Sequence, residues 1–257
     1  MWSRLLVIVI GVPLVYVALT AGELPRFVLF GLVNVLAQAE LFRLLAPEAG
    51  PPLLEAVGGL VILFGAARGG ERGLLLAFAL TVVALACLIV LRGLDGKGSQ
   101  RFAIGTASLA YIPLSLGFFL LVGRGHGGLV LFALLATIWA LDIGAYAVGM
   151  TLRGPPLAPR ISPKKTIAGA VGGLTATALV VWAFGQTRVF DLSPGQQVGL
   201  ALAIGVLGQV ADLFESVLKR EARQKDSGAL LGAHGGILDR IDSLLLLGPV
   251  VFLLLSS

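Results

Sequence analysis

Ionisable side chains collect near the carboxyl end of this otherwise apolar chain. Two groups stand on either side of a short loop: Asp212, Glu215, Ser216 and Lys219 before it, then Asp239 and Asp242 after it. On helices, the i, i+3, i+4 and i+7 spacing of the first group and the i, i+3 spacing of the second each place the side chains on one face. Carboxylates from two helices that meet in a polar pocket can hold Mg²⁺ against phosphate oxygens. Simple neutralisation of nearby cations would explain one or two of these acids but not all of them.

Three acids, Asp142, Asp212 and Glu215, fall in or near the ends of apolar segments. A carboxylate near the bilayer centre costs about 2.5–3.5 kcal/mol on insertion scales, so such acids usually line a water-filled cavity. Asp142 begins the run Asp-Ile-Gly-Ala-Tyr, whose small residues would admit a ligand or a neighbouring backbone. For Asp142 two interpretations stand: an acid at a helix end wetted by the interface, or a member of a site.

A proline-rich loop over residues 153–166 ends in a cluster of hydroxyls and lysines: Ser162, Lys164, Lys165 and Thr166. The prolines prevent regular helix, and a new apolar segment follows the cluster directly. Free backbone N–H groups and the helix dipole attract anions at a helix N-terminus, and adjacent lysines add to this attraction. The loop is therefore predicted to bind phosphate. Ordinary positive charge beside a membrane would explain the lysines but not the prolines and hydroxyls.

The loop between the two acidic groups carries His234, Gly235 and Gly236. A lone histidine is more often a hydrogen-bonding loop residue than a catalyst, and no second histidine is close in sequence. The two glycines could instead bring backbone amides against a phosphate. These two interpretations remain equally supported.

The elements that must position these residues are membrane helices, because 57% of the 257 residues are hydrophobic and only 13% are charged. Soluble domains average about 25% charged residues. Apolar runs near the length of about 20 residues that spans a bilayer as helix recur along the chain. We predict an all-α, polytopic integral membrane protein with about nine transmembrane helices. The predicted spans are 5–21, 26–45, 53–67, 73–91, 103–122, 128–150, 168–185, 197–218 and 241–255.

The basic residues are distributed unequally between the loops. With a cytoplasmic N-terminus, 14 of the 19 lysines and arginines fall on the cytoplasmic side, which follows the positive-inside rule. This excess of basic residues sits in short loops, which favours a membrane surface or a phosphorylated substrate over nucleic acid. We divide the chain into an N-terminal scaffold, 1–127, and a C-terminal catalytic part, 128–257, within one membrane domain. Cys87 is the single cysteine, which rules out an intrachain disulfide.

Residues 216–242 carry a pattern that resembles the motif of the phosphatidate cytidylyltransferases, also called CDP-diacylglycerol synthases. The pattern is Ser-x-Leu-Lys-Arg, four residues, Lys-Asp-x-Gly, then His-Gly-Gly-x-x-Asp-Arg-x-Asp. The runs Asp-x-Gly-Ala-Tyr at 142–146 and Ser-Pro-Lys-Lys-Thr at 162–166 resemble two upstream motifs of the same family. The chain departs from that family in having Ala168 where a glutamate is usual, and Gly232-Ala233 where Pro-Gly is common before the histidine.

The resemblance implies that CMP is transferred from CTP to phosphatidic acid, giving CDP-diacylglycerol and pyrophosphate, with Mg²⁺ required and K⁺ a candidate assisting cation. It implies a catalytic set of Asp212, Lys219, Arg220, Lys225, Asp226, Asp239 and Arg240. It implies a substrate-binding set of Asp142, Ser162, Lys164, Lys165, Thr166, Ser216, His234, Gly235 and Gly236. We expect Asp212, Asp239 and Asp242 to hold the metal ion.

The same resemblance implies a homodimer in the inner membrane, with its site facing the cytoplasm. Two alternatives remain open from the sequence. A CTP-dependent lipid kinase would share the nucleotide site but transfer the γ-phosphoryl group. An anion transporter would also use intramembrane acids, although the polar residues of this chain cluster at one membrane face.

Overall fold

The computed structural model describes residues 2–93, 96–228 and 235–256, which are almost entirely helical. The helices are α1 (Trp2–Thr20), α2 (Glu23–Leu45), α3 (Leu53–Arg92), α4 (Gly98–Leu109), α5 (Ser115–Gly125), α6 (Gly128–Leu152), α7 (Ile167–Gln186), α8 (Pro194–Glu221), α9 (Leu238–Leu245) and α10 (Gly248–Ser256). A 3₁₀ turn (Pro47–Ala49) follows α2. The all-α fold class predicted from the sequence is confirmed.

The apolar helices are long enough to cross a bilayer. Within the described residues, six helical stretches have the length and composition of membrane spans, and a shorter apolar helix covers Val9–Thr20. Many of their large apolar side chains are exposed at the outer surface, among them Leu80 and Trp182, as lipid-facing positions require. The chain is therefore a multi-pass membrane protein.

Helix α3 is two antiparallel arms rather than one straight rod. Gly70 has φ 64° and ψ −148°, a conformation that breaks the helix and that glycine adopts without a Cβ penalty. The arms approach so closely that a Cβ on Gly65 would collide with the backbone of Gly73. The two arms correspond to the predicted spans 53–67 and 73–91.

Two other predicted spans are interrupted helices. The fifth consists of α4 and α5 joined by a π-helical turn (Ala110–Leu114) that contains Pro113. The ninth consists of α9 and α10, which are separated by a break at residues 246–247. With these two joined and α3 divided, the described helices follow the nine predicted spans in order. The division at residue 127 stays a prediction, and the buried apolar core draws on both parts.

A short β-hairpin replaces the irregular loop expected between the sixth and seventh spans. Strand β1 (Pro156–Ala158) pairs antiparallel with β2 (Ser162–Thr166). β2 runs directly into α7, whose N-cap is Thr166. The hairpin therefore sets the direction from which the two lysines approach the helix.

Successive spans alternate in direction, so the carboxyl ends of α2, α3, α6 and α8 lie together with the start of α9. We call this the site end of the bundle. Contacts between α6 and α7, α7 and α8, and α8 and α9 hold it together, and α2 reaches α9 from the other half. At the opposite end, Arg26 Nη1 donates to the carbonyl of Gly123. Most charged motif residues are thus gathered at one end of the molecule.

Candidate active site

A cavity of about 710 Å³ opens at the site end, where α6, β2, α7, α8 and α9 meet. It brings together residues from all three sequence motifs, which are separated by up to a hundred positions. The predicted site residues that line it are Asp142, Ser162, Lys164, Lys165, Thr166, Asp212, Lys219, Asp226, Asp239, Arg240 and Asp242.

The β-hairpin places its lysines against the end of α8. Lys165 forms an ion pair with Asp212, and both side chains are about one-third exposed to the cavity. Thr166 accepts a hydrogen bond from Gly169 N at 3.0 Å, which satisfies one free amide of α7. Lys164 also lines the cavity and is exposed. The predicted cluster of lysines and hydroxyls at a helix N-terminus is therefore present in the fold.

Lys219 is the centre of a buried charge network. Its Nζ lies 2.6 Å from Asp239 Oδ1 and 3.3 Å from Glu215 Oε1. The Lys219–Glu215 contact is within ion-pair distance but lacks the geometry of a hydrogen bond. In the described structure, neither Glu215 oxygen therefore has a hydrogen-bond partner. Glu215 is fully buried and Lys219 is almost so. Lys219 thus joins α8 to α9 by charge in a site of low dielectric constant.

Asp239 lies ahead of the ninth predicted span, on the first turn of α9. Its Oδ2 accepts hydrogen bonds from Ser227 N at 2.9 Å, Ser227 Oγ at 2.9 Å and Gly236 N at 2.8 Å. Burial by itself would raise the pKa of Asp239, but the hydrogen bonds from Lys219 and from these amides outweigh it and hold the pKa below its usual value. Asp239 is therefore a fixed, ionised carboxylate.

Asp142, Asp212 and Asp242 also line the cavity. Asp242 interacts electrostatically with Asp142, Asp212 and Glu215. Carboxylates that interact in this way repel each other unless a proton or a cation lies between them. Hard oxygen donors of this kind suit Mg²⁺, which binds one or two carboxylates together with water and substrate phosphates.

The donor set fits Mg²⁺ in kind. Among the described residues, however, no three such side chains form a ready metal cage. Asp212 and Asp239 are each paired with a lysine instead.

Some predicted site residues lie outside the cavity lining within the described part of the chain. Arg220 donates to the carbonyls of Ile161 and Gln224, which ties the end of α8 to the hairpin. Lys225 is exposed, and Ser216 does not line the cavity. Their roles stay predictions.

The glycine motif lies at the edge of the described structure. Gly236 N is bound to Asp239, and Gly235 adjoins the same carboxylate. His234 falls outside the described residues.

Sequence reasoning missed three contributors to the site. Glu40 of α2 belongs to none of the three sequence motifs, but it accepts hydrogen bonds from Ser227 and from the start of α9. Tyr111, on the π-helical turn, has a buried hydroxyl without a hydrogen-bond partner in the described structure, and its ring packs edge-on against Phe214 of α8. Gln209 lines the cavity one turn before Asp212. A π-helical turn often marks a functional site, but no local sequence pattern predicts such a turn here.

Comparison with known proteins agrees with the geometry. Residues 2–257 match the cytidylyltransferase family. A phosphatidate cytidylyltransferase of Brucella suis is 38% identical over 184 residues, which cover 71% of this chain and 66% of that relative. Phosphatidate cytidylyltransferases of Bacillus subtilis and Staphylococcus aureus are 36% and 33% identical to this chain over 59% and 80% of its length. These matches cover 57% and 79% of the two relatives.

Proposed function

The chain belongs to the cytidylyltransferase family, and we propose that it transfers CMP from CTP to phosphatidic acid, forming CDP-diacylglycerol and pyrophosphate. The observation that carries this proposal is the cavity at the site end. There the lysines of β2 and α8 adjoin carboxylates of α6, α8 and α9. The relatives named for the same activity are 33–38% identical.

The reaction joins two anions, so the site must reduce their repulsion. An oxygen of the lipid phosphate attacks the α-phosphorus of CTP, a new P–O bond forms, and the bond to the β-phosphate oxygen breaks to release pyrophosphate. Phosphate is already nucleophilic, so positioning and charge neutralisation matter more than a dedicated base. In this proposal Lys164, Lys165 and Arg240 bind phosphate oxygens, and the amides at the start of α7 add to their attraction.

The charges of the cavity favour a divalent cation. Among the described residues that line it, five carboxylates (Asp142, Asp212, Asp226, Asp239 and Asp242) face four cationic side chains (Lys164, Lys165, Lys219 and Arg240). With all five carboxylates ionised, the lining carries one net negative charge, which would repel two phosphorylated substrates. We therefore propose that Asp212, Asp239 and Asp242 hold Mg²⁺, which when bound neutralises charge on the phosphates and the leaving group. K⁺ is a candidate second cation.

The lipid needs an apolar route to the phosphate site. Tyr146 and Met150 of α6 line the cavity and are 70% and 60% exposed. They adjoin an exposed apolar surface that includes Ile143. We propose that phosphatidic acid enters along this side of α6 from the inner leaflet of the cell membrane, while CTP arrives from the cytoplasm.

The test uses the purified full chain in nanodiscs with phosphatidic acid, Mg²⁺ and CTP labelled at either the α- or the γ-phosphate. The proposal expects the α-label in the lipid extract, release of pyrophosphate, and loss of both when EDTA replaces Mg²⁺. Transfer of the γ-label to lipid, with CDP released, would identify a lipid kinase instead. Absence of any labelled lipid would overturn the proposed activity.

A further inference from the structure

A carboxylate from the scaffold half reaches into the loop that carries the motif residues. We propose that Glu40 is a positioning residue that holds Ser227 and the start of α9, which carries Asp239, in their reactive arrangement. The inference rests on the proposed function, because it assigns a role to Glu40 in that reaction. No motif from the sequence includes α2.

Glu40 is bound at both of its oxygens. Oε2 accepts from Ser227 Oγ at 3.0 Å and from Leu238 N at 2.8 Å, and Oε1 accepts from Ile237 N at 3.0 Å. The two amides belong to the start of α9, where free N–H groups and the helix dipole favour a negative charge. Glu40 is only 3% exposed. A buried carboxylate is costly unless its oxygens are satisfied, so the loop and Glu40 fix each other's position.

The contacts of Glu40 continue to Asp239 through Ser227. The Ser227 hydroxyl lies between two carboxylates, 3.0 Å from Glu40 Oε2 and 2.9 Å from Asp239 Oδ2. Its single proton can be donated to only one of them at a time. Glu40 thus shares the Ser227 hydroxyl with Asp239 and, through the amides of Ile237 and Leu238, holds the backbone that presents Asp239.

Two motif glycines, Gly228 and Gly236, lie so close to Glu40 that a larger residue would not fit at either position. A Cβ on Gly228 would lie 2.6 Å from Glu40 Oε1, and the three nearest atoms that it would meet all belong to Glu40. A Cβ on Gly236 would collide with both Glu40 Oε2 and Ser227 Oγ. A side chain at either position would push the carboxylate out of its hydrogen bonds. Gly228 therefore offers a way to displace Glu40 without altering its charge.

The first test compares Glu40→Gln with Glu48→Gln, a control at an exposed glutamate just beyond the end of α2. The amide keeps the shape, but its NH₂ group faces N–H donors and cannot accept from them. Loss of a group that orients a site typically costs about 10–100-fold. We expect a fall of that size in kcat for Glu40→Gln, with KM for CTP within about twofold of wild type because the lysines that bind phosphate are untouched. Glu48→Gln should match wild type in both.

The second test is non-additivity. Gly228→Ala should lower kcat in the wild-type background. In a Glu40→Ala background it should have little further effect, because the atoms it would strike are gone. If Glu40→Gln fails to fold, as judged by size-exclusion chromatography and circular dichroism, Gly228→Ala and Ser227→Ala still test the contact, because both leave the carboxylate in place.

Hydrogen exchange without substrates separates this inference from the proposed activity. The amides of residues 237 and 238 should exchange faster in Glu40→Gln and Gly228→Ala than in wild type, and at the wild-type rate in Glu48→Gln. If wild type makes no CDP-diacylglycerol but the exchange result holds, the proposed activity fails and Glu40 still orders the start of α9. Wild-type kcat and exchange in Glu40→Gln, or additive effects with Gly228→Ala, would overturn the inference.

Discussion

Replacement of Lys219 by methionine tests how strongly charge joins α8 to α9. The ammonium group lies 2.6 Å from Asp239 and 3.3 Å from Glu215, and these carboxylate side chains are 7% and 0% exposed. With an effective dielectric constant of about 20, Coulomb's law gives roughly 6 kcal/mol for the Asp239 pair before desolvation is subtracted. Breaking a buried ion pair typically costs about 3–5 kcal/mol, because an uncompensated charge stays behind. We expect a loss in that range for the Lys219→Met variant.

The assay is reversible unfolding in mixed micelles titrated with SDS, followed by circular dichroism. Lys97→Met is the matched control, because Lys97 pairs with Glu48 at 3.6 Å and the two side chains are 57% and 84% exposed. Exposed pairs contribute about 0–1 kcal/mol, so this variant should stay close to wild type. Equal unfolding free energies for the two variants would refute the view that Lys219 stabilises the contact between α8 and α9.

Three further predictions concern the site and its orientation. Asp212→Asn and Asp239→Asn should each remove nearly all turnover in a folded protein, because the amide keeps the shape but loses the charge; near-normal turnover in either would contradict the metal assignment. Lys164→Ala and Lys165→Ala should raise KM for CTP or lower kcat. Unchanged kinetics in both variants would show that the two lysines only supply positive charge beside the membrane. In a cysteine-free background, Lys225→Cys should react with an impermeant maleimide only after the cells are opened, and labelling of intact cells would reverse the predicted topology.

The contacts of Lys219 and those of Glu40 both act on the start of α9, which carries Asp239. Lys219 holds Asp239 Oδ1, while Ser227 and Gly236 hold Oδ2 and Glu40 holds the backbone beside them. Asp239 is thus oriented by contacts from α2, α8 and its own loop. A carboxylate fixed in this way loses little conformational freedom when substrate binds, which is the advantage of a pre-organised site.

The sequence alone determined the membrane class, the order of the spans and most of the cavity residues. Hydropathy is a local property, and a segment of about 20 apolar residues must form a helix in lipid whatever its neighbours are. The i, i+3, i+4 and i+7 spacing on α8 is also local, so Asp212 and Lys219 could be placed on one face before the fold was known. The three short motifs carried the lysines and acids that line the cavity.

Only the tertiary structure decided which of these residues touch each other and what holds them. Ser227 and Leu238 lie 187 and 198 positions from Glu40, and no periodicity connects residues so far apart. The pairing of Lys165 with Asp212 and the hairpin between α6 and α7 likewise depend on how neighbouring helices pack. Helix formation in lipid is settled within each segment, but a site made of several helix ends exists only once those segments have been packed together.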